Sequence, residues 1–267
     1  MITDNEFLRI VSFLKQRYGI DMSQKKVIMN GRLENYLKSG GWSSFDEFMN
    51  DVEKDTSGDL EKTLVNFLTT NHTYFMREFG HFEFFKSVVL PWIKQKEEHS
   101  KDMRIWCGAS STGEEPYMIA MVVNDFLGLD HKNWDARILA TDISTQALSH
   151  AIAGVYDDEH LKSVPANWKR NFFNHMKDGS YAATDELKKE VIFRKFNLMD
   201  PFPFRKKMHT IFLRNVMIYF DEATKRELVQ KVYDSLEPGG YLFVGMTETL
   251  DRCSTPFQLI QPSIFRK

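Results

Sequence analysis

The segment WCGASSTGEEPY, residues 106–117, joins a short apolar run to a stretch of helical periodicity at 116–127. It therefore predicts a turn from a strand into a helix. In an open α/β sheet such a turn lies at the carboxyl end of the strand, where ligands bind. Gly108 and the three residues after it are small, so a ligand can approach the backbone closely. This segment is the sharpest indication of a ligand site in the sequence.

The spacing of Gly108 and Gly113 matches the first part of a phosphate-binding loop, but the residues that follow do not. Such a loop continues with Lys and then Ser or Thr, whereas Glu114 and Glu115 stand here. Two carboxylates would repel a triphosphate, and the dinucleotide fingerprint G-x-G-x-x-G is absent. A cationic ligand fits the acidic pair better, and S-adenosylmethionine carries both an ammonium and a sulfonium group.

The two glutamates also have a purely local interpretation. Acidic residues stabilise the first turn of a helix by ~0.3–1 kcal/mol, and Thr112-x-x-Glu115 matches a capping box. A cap at Thr112 would place Pro116 where its missing N–H forfeits the first intrahelical hydrogen bond. A cap at Gly113 avoids this loss and leaves the Glu115 side chain free to contact a ligand. The spacing alone leaves ligand binding and capping equally open.

Asp142 ends the next apolar run, in the sequence LATDIS. An acid at the end of the second strand can accept hydrogen bonds from both hydroxyls of a ribose. The alternative is an N-cap for a helix that begins at Ser144. A glycine-containing loop after the first strand, followed by an acid after the second, together favour a ligand that contains adenosine.

Short apolar runs alternate with helical periodicity over the second part of the chain. The apolar runs are 103–107, 136–141, 191–196, 209–213 and 241–246, and the helical stretches are 116–127, 144–152 and 222–236. Such alternation predicts an α/β fold with a Rossmann-like, doubly wound, mainly parallel sheet. Pro238-Gly239-Gly240 predicts the turn into the last of these strands. PFQLI and SIFRK predict a terminal antiparallel hairpin.

The chain divides into three parts by the same patterns. Residues 1–70 predict an N-terminal all-helical domain, with helices after Thr3 and around 31–38, 44–52 and 60–68. Residues 71–100 predict a linker and a connecting helix at about 81–94. Residues 101–267 predict the ligand-binding domain. A small inserted subdomain at about 153–190 interrupts it, with a hairpin turning at Asp178-Gly179.

Composition excludes several classes of function. The net charge of −2 favours no nucleic-acid partner. No apolar run approaches the ~20 residues of a membrane span, so we expect no membrane insertion. Histidine and cysteine spacing predicts no metal site. Cys107 and Cys253, the two cysteines, form no C-x-x-C and indicate a reducing, cytoplasmic compartment.

With these patterns in place, the sequence resembles the chemotaxis receptor methyltransferases of the CheR family. The resemblance rests on NHTYFMRE (71–78), STGEEPY (111–117), ATDIS (140–144), NLMDPFP (197–203) and RNVMIYFD (214–221), in family order. The helical N-terminal domain and the insertion before the third strand also match the layout of that family. The resemblance implies a bacterial enzyme that uses S-adenosylmethionine, releases S-adenosylhomocysteine, and methylates glutamate side chains of chemoreceptors.

The resemblance also implies roles for particular residues. Gly108 belongs to the glycine loop, and the other implied cofactor contacts are Asn71, Thr73, Arg77, Glu115, Asp142, Asn197, Leu198, Leu213, Arg214 and Asn215. Arg77 and Tyr219 are the candidate catalytic residues: Arg77 steers the substrate carboxylate or orders the cofactor, and Tyr219 lies near the transferred methyl group. The residues alone allow two plainer alternatives, a salt bridge for Arg77 and a core position for Tyr219.

The partner implied by the resemblance is the cytoplasmic helical region of chemoreceptors, bound by a monomer. Six basic residues against two acidic ones between positions 15 and 38 could face an acidic receptor helix or could simply be solvated (Lys15, Arg17, Lys25, Lys26, Arg32 and Lys38). Two other functions stay open at this point. One is a methyltransferase that acts on a different substrate, and the other is a non-catalytic sensor that binds S-adenosylmethionine or its product.

Overall fold

A computed structural model describes residues 1–69, 71–251 and 255–267 of the chain. Cys253 lies outside the described residues. Within the described ranges, no helix is both long and apolar enough to cross a membrane, and no group of three or more potential metal ligands occurs.

The N-terminal domain consists of helices packed around one apolar core. They are α1 (Asp4–Tyr18), α2 (Lys26–Gly40), α3 (Phe45–Lys54) and α4 (Asp59–Leu68). Thr3 caps α1 in a full capping box with Glu6, and Ser44 caps α3, so polar residues at both starts satisfy free N–H groups. The predicted helices are confirmed, although α2 begins five residues before the predicted position 31.

A connecting helix follows, in three continuous segments rather than one regular helix. They are α5 (Gly80–Phe84), a π-helical turn (Phe85–Val89) and α6 (Leu90–Lys96). In the π turn the N–H of Leu90 bonds to the carbonyl of Phe85, five residues back. Pro91 comes next and has no N–H to donate. The apolar periodicity at 81–94 predicts one continuous helix and does not mark this wider turn.

The predicted doubly wound sheet is confirmed. Among the described residues, seven strands form one sheet in the order β6-β2-β1-β7-β8-β10-β9. The first four pairs are parallel, and β10 pairs antiparallel with both β8 and β9. These strands are β1 (Ile105–Gly108), β2 (Ile138–Asp142), β6 (Val191–Lys195), β7 (Met208–Phe212), β8 (Leu236–Phe243), β9 (Gln258–Gln261) and β10 (Ile264–Arg266).

Three longer helices cover this sheet. They are α7 (Glu114–Leu127), α8 (Thr145–Ala153) and α11 (Glu222–Ser235). Strands β1 and β7 are buried along their whole length, as expected for central strands of a parallel sheet with helices on both faces. Helix α7 is almost wholly apolar after its first turn, because it packs between the sheet and its neighbours.

The prediction of a turn at Pro238-Gly239-Gly240 is wrong. These residues lie inside β8, where the pairing with β7 shifts between Met208 and Thr210. Gly239 has φ +82°, and its N–H donates to the carbonyl of Lys267. The strand therefore contains a wide bulge that is paired with the C-terminus of the chain. Proline and glycine mark either a turn or a bulge, and sequence alone does not separate the two.

The predicted insertion forms a second sheet of its own. Its strands are β3 (Val155–Tyr156), β4 (Phe173–His175) and β5 (Tyr181–Ala183), in the order β3-β5-β4, all antiparallel. Two short helices accompany them, α9 (Ala166–Phe172) and α10 (Asp185–Lys189). The hairpin between β4 and β5 turns at Asp178-Gly179 as predicted, and Gly179 has φ +89°.

The helical domain docks at the carboxyl end of the parallel strands. Ile20 forms an antiparallel bridge with Phe220, and the N–H of Asp21 donates to the carbonyl of Tyr219. On the other side, the Asn66 side chain of α4 accepts a hydrogen bond from Ser144 at 2.9 Å. Both ends of the helical domain thus touch loops that follow strands of the sheet.

We predict that stability falls at acid pH through His81. Burial and the neighbouring Arg214 charge lower the pKa of His81 to about 4. A folded-state pKa below the unfolded value means that this contribution is complete above about pH 6.5 and is lost as pH falls towards 4. Between pH 7.5 and pH 5 the contribution should fall by about 2 kcal/mol.

Urea denaturation at these two pH values measures this loss. The variant His81→Gln should lose less stability between them than the wild type. His99→Gln, at an exposed position, should behave like the wild type. Equal losses in all three proteins would show that His81 does not carry the effect.

Candidate cofactor and methyl-transfer site

A cavity of about 270 Å³ lies where β1, β2 and β7 end and the helical domain docks. Most of the predicted site residues line it together: Asn71, Thr73, Arg77, Glu115, Asp142, Asn197, Leu198, Arg214, Asn215 and Tyr219. Gly108 and Leu213 do not line it. They are in contact with each other instead, since a Cβ on Gly108 would lie 2.9 Å from Leu213. Most of the predicted residues thus meet at one cavity, and Gly108 and Leu213 each precede a residue that lines it, Ala109 and Arg214.

The loop after β1 bends sharply to face the cavity. Ala109 and Ser111 have φ of 56° and 50°, and Gly113 has φ of 99°. Residues other than glycine adopt this left-handed region at a cost, so surrounding contacts must hold them there. One such contact is visible: the N–H of Ser111 donates to the Asp142 carboxylate at 2.8 Å. The loop and the end of β2 are thereby fixed to each other.

Asp142 is nearly buried and accepts hydrogen bonds from two backbone groups. One oxygen accepts from Ser111, and the other accepts from the N–H of Ser144 at 2.8 Å. Burial raises the pKa of the Asp142 carboxyl group, although these hydrogen bonds oppose the shift. The N-cap of α8 is Ser144, whose hydroxyl accepts from Ala147, so Asp142 is not that cap. Each carboxylate oxygen can still accept a second hydrogen bond from a ligand in the cavity.

The N-terminus of α7 separates the two neighbouring glutamates. Gly113 is the N-cap, so the capping box between Thr112 and Glu115 does not form. Glu114 is fully buried and accepts a hydrogen bond from the Thr112 hydroxyl at 2.7 Å. Glu114 does not line the cavity, whereas Glu115 does. Of the two carboxylates that the sequence predicted to face a cation, only that of Glu115 therefore lies at the cavity.

Glu115 is itself paired with a buried guanidinium. Arg214 donates from Nη1 to Glu115 and from Nη2 to Glu78, the latter at 3.1 Å, and its side chain is 1% exposed. Burial lowers the pKa of Arg214, but the two carboxylates outweigh it and hold the pKa above its usual value. Glu78 is a site residue that sequence reasoning missed, because its partner lies 136 positions away.

The charges and free polar atoms of the cavity fit S-adenosylmethionine. The lining carries two carboxylates and two guanidinium groups, and the Glu78 carboxylate pairs with Arg214 from outside the lining. Together these three carboxylates and two guanidinium groups carry one net negative charge. S-adenosylmethionine carries one net positive charge, so the two match. Among the described residues, Ser110 Oγ and Arg214 Nε are buried without a hydrogen-bond partner. Buried polar atoms are normally satisfied, so both are available to a polar ligand at this position.

Arg77 points its charge at the cavity without a carboxylate partner. Its Nη1 donates to the carbonyl of His72 at 2.7 Å, and its guanidinium lies 5.6 Å from the centre of the Tyr74 ring. Within the described part of the chain it forms no ion pair, so the salt-bridge alternative is not observed. Met76 and Glu78, on either side of it, have φ of 67° and 54°. The backbone around Arg77 is thus held in an unusual conformation.

A loop after β7 carries Asn215 and Tyr219. Glu248 joins this loop to the end of β8, because its carboxylate accepts hydrogen bonds from the N–H groups of Asn215 at 2.7 Å and Gly245 at 2.6 Å. Burial raises the pKa of Glu248. Tyr219 is partly buried, lines the cavity, and lies under the ammonium of Lys25 at 5.0 Å. Glu248 was not predicted, since no motif marked the acid after the last parallel strand.

Comparison with known proteins identifies the class. The family described as CheR methyltransferase, SAM binding domain, matches residues 71–265, and its all-alpha domain matches residues 5–69. The protein is therefore an S-adenosylmethionine-dependent methyltransferase that acts in chemotaxis. It belongs to the CheR family.

Relatives support this assignment along the whole chain. A chemotaxis protein methyltransferase from Borreliella burgdorferi is 38% identical over 100% of this chain and 95% of its own. The chemotaxis protein methyltransferase of Escherichia coli is 33% identical over 99% of this chain and 91% of its own. Among solved structures, the DhpI–SAH complex superposes with a TM-score of 0.34 and 13% identity, over 69% of this chain and 68% of that one.

We predict that Arg214→Met strongly destabilises the protein. The change leaves the Glu78 and Glu115 carboxylates partly buried without their shared cation, and breaking a buried ion pair costs about 3–5 kcal/mol. Urea denaturation at pH 7.5 measures the loss. Arg137→Met provides the control, because the pair of Arg137 with Asp135 is about half exposed and should cost less than about 1 kcal/mol. Similar losses in both variants would contradict this account of the cluster.

Proposed function

We propose that this enzyme transfers the methyl group of S-adenosylmethionine to glutamate side-chain carboxylates of bacterial chemoreceptors, forming glutamyl methyl esters. The observation that carries the proposal is Arg77, a guanidinium that faces the cavity and lacks an internal carboxylate partner. An acidic side chain entering the cavity would supply that partner. The family of the chain supports the same conclusion, and it disfavours a different substrate or a sensor without activity.

The reaction needs no strong general acid or base from the protein. A glutamate carboxylate is already ionised at pH 7, so no side chain has to remove a proton from it. When bound, the cofactor supplies a methyl group that is open to nucleophilic attack. The task left to this chain is to place the carboxylate in line with that group. Positioning of this kind contributes ~7–11 kcal/mol in favourable cases.

In this proposal the cavity residues divide into two groups. Arg77 and Tyr219 face the substrate carboxylate, and Asn71, Thr73, Glu115, Asp142, Asn197, Leu198, Arg214 and Asn215 hold the cofactor. The Asn197 side chain is held by donating to the carbonyl of Arg17 and accepting from the N–H of Met199, and it keeps one N–H and one oxygen lone pair for the cofactor. Gly108 and Leu213 support the wall without touching the ligand.

Part of the cavity wall is apolar. Apolar side chains line it from several elements, among them Ile20 and Leu68 of the helical domain. Charge is partly neutralised as the carboxylate attacks the sulfonium methyl, so a site that excludes water favours the reaction. The helical domain would thus contribute directly to the site as well as to partner binding.

The surface that we propose for partner binding is smaller than the whole basic stretch between positions 15 and 38. Four of the six basic residues pair with acids inside the chain: Lys15 with Asp221, Arg17 with Glu61, Lys26 with Asp4, and Lys38 with Glu34. Arg32 donates to three backbone carbonyls at the end of α4, those of Phe67, Leu68 and Thr69.

The start of α2 remains the best candidate for contact with a receptor. Val27 and Ile28 are 86% and 47% exposed there, next to Lys26, which pairs with Asp4, and to Lys25, which forms no ion pair among the described residues. Exposed apolar groups flanked by basic ones suit an amphipathic acidic helix. In this proposal the protein binds the cytoplasmic helical region of a chemoreceptor as a monomer.

We predict that Arg77→Ala lowers methyl transfer to receptor-containing membranes about 100-fold, because a charge-assisted contact worth roughly 2–3 kcal/mol is lost. Transfer of labelled methyl followed by alkali should release labelled methanol with the wild type, as expected for a carboxyl ester. Arg137→Ala should retain full activity. Near-normal turnover by Arg77→Ala would remove Arg77 from the mechanism. A methylated product that is stable to alkali would refute the proposal that glutamate is the substrate.

We predict that Lys25→Glu with Lys26→Glu raises the KM for receptor several-fold at low ionic strength. The reason is charge repulsion at the rim of the partner surface, which salt should screen. Initial rates at low and high salt measure the effect. A matched double variant, Lys86→Glu with Lys94→Glu on the connecting helix, should not change KM. Unchanged KM in the first variant at low salt would exclude this surface.

A further inference from the structure

The inserted subdomain contacts two segments that line the cavity, although it does not line the cavity itself. Its Tyr156, in β3, is 2% exposed and donates from its hydroxyl to the carbonyl of Thr112 at 2.8 Å. Thr112 directly follows Ser110 and Ser111, which both line the cavity. The subdomain therefore holds the cofactor-facing loop through a buried phenol.

The fit at this contact is tight. A Cβ on Gly113 would lie 2.9 Å from the Tyr156 hydroxyl and 2.8 Å from the Cβ of Ala151. Together with its φ of 99°, this explains why glycine occupies the N-cap of α7. The loop has no room to move towards the subdomain. Its conformation depends on the Tyr156 hydroxyl on one side and the Asp142 carboxylate on the other.

The same subdomain also holds the linker that carries Arg77. The ring of Phe75 is fully buried and packs edge-on against Tyr156 at 5.0 Å and against Phe173 at 5.6 Å. The hydroxyl of Ser163 donates to the carbonyl of Phe75 at 3.0 Å. Because Met76 and Glu78 have positive φ, the linker needs such external contacts to keep its shape.

We propose that Tyr156 is a positioning residue through which the inserted subdomain sets the geometry of the cofactor-binding loop. Its hydroxyl fixes Thr112, and its ring fixes Phe75, so one side chain joins the glycine loop to the linker. Loss of the hydroxyl frees the Thr112 carbonyl and loosens Ser110 and Ser111. Cofactor affinity then falls, while the chemistry of the bound complex stays the same.

The chain offers a closely matched control in Tyr117. Its hydroxyl is also buried and also donates to a backbone carbonyl at 2.8 Å, that of Ala151 in α8. Ala151 lies in α8, whereas Thr112 belongs to the loop after β1 that lines the cavity with Ala109, Ser110 and Ser111. Tyr117→Phe and Tyr156→Phe therefore remove the same group from the same kind of partner. A purely structural effect should be alike in both variants.

The test measures binding of S-adenosylhomocysteine by calorimetry in the wild type, Tyr156→Phe and Tyr117→Phe. We expect Tyr156→Phe to bind about fivefold to tenfold more weakly, and Tyr117→Phe to bind within twofold of the wild type. Amide hydrogen exchange over residues 108–113 should accelerate in Tyr156→Phe alone. In kinetics, the KM for S-adenosylmethionine should rise with kcat within twofold. Equal affinities in the two variants, whether both normal or both weakened, would overturn the proposal.

If Tyr156→Phe does not fold, Ser163→Ala decides the question. It removes the hydrogen bond to Phe75 and should weaken binding twofold to threefold, whereas Ser235→Ala, which loses a bond to the carbonyl of Lys231 in α11, should not. Equal binding by these two variants would also overturn the proposal. The inference rests on the cofactor and not on the receptor substrate. A failure here leaves methanol release by the wild type intact, and a failure of the substrate proposal leaves these affinities intact.

Discussion

The site depends on one buried guanidinium, that of Arg214, between Glu78 and Glu115. These three residues come from the linker, the start of α7 and the end of β7, so the ion cluster joins segments that are far apart in sequence. Two carboxylates at this depth would be unstable without the cation, and the cation would be unstable without them. The cluster leaves the cavity with a small excess of negative charge, which is what a singly positive cofactor requires.

Around this cluster, each loop of the site has a separate anchor. Asp142 holds the loop after β1, Glu248 holds the loop after β7, and Tyr156 holds both the first loop and the linker. Asp142 and Glu248 accept hydrogen bonds from backbone N–H groups, and Tyr156 donates one to a backbone carbonyl. These hydrogen bonds therefore fix the course of the backbone as well as the side chains. Several residues with positive φ lie between these anchors. Buried polar contacts thus hold the backbone of the site in these strained conformations.

The sequence predicted the fold well because the fold rests on local periodicity. Buried strands such as β1 and β7 are short apolar runs, and α1 begins at a capping box that can be recognised within four residues. The bulge at Pro238-Gly239-Gly240 was mistaken for a turn, because the pairing that reveals it involves the distant C-terminus. The site was predicted at the level of segments. Glu78 and Glu248 were missed because their partners are known only once the chain has folded.

The terminal hairpin has a consequence for behaviour at high concentration. Strand β9 lies at the edge of the seven-stranded sheet of the described chain, and all four of its residues are exposed. An open edge can recruit a strand from another molecule and so begin aggregation. Here the edge is four residues long, begins and ends with glutamine, and has irregular pairing with β10 near Ile264. Leu259 and Ile260 at its centre are exposed and apolar, so the short length and the uneven pairing are what make this edge a poor template for a strand of another copy.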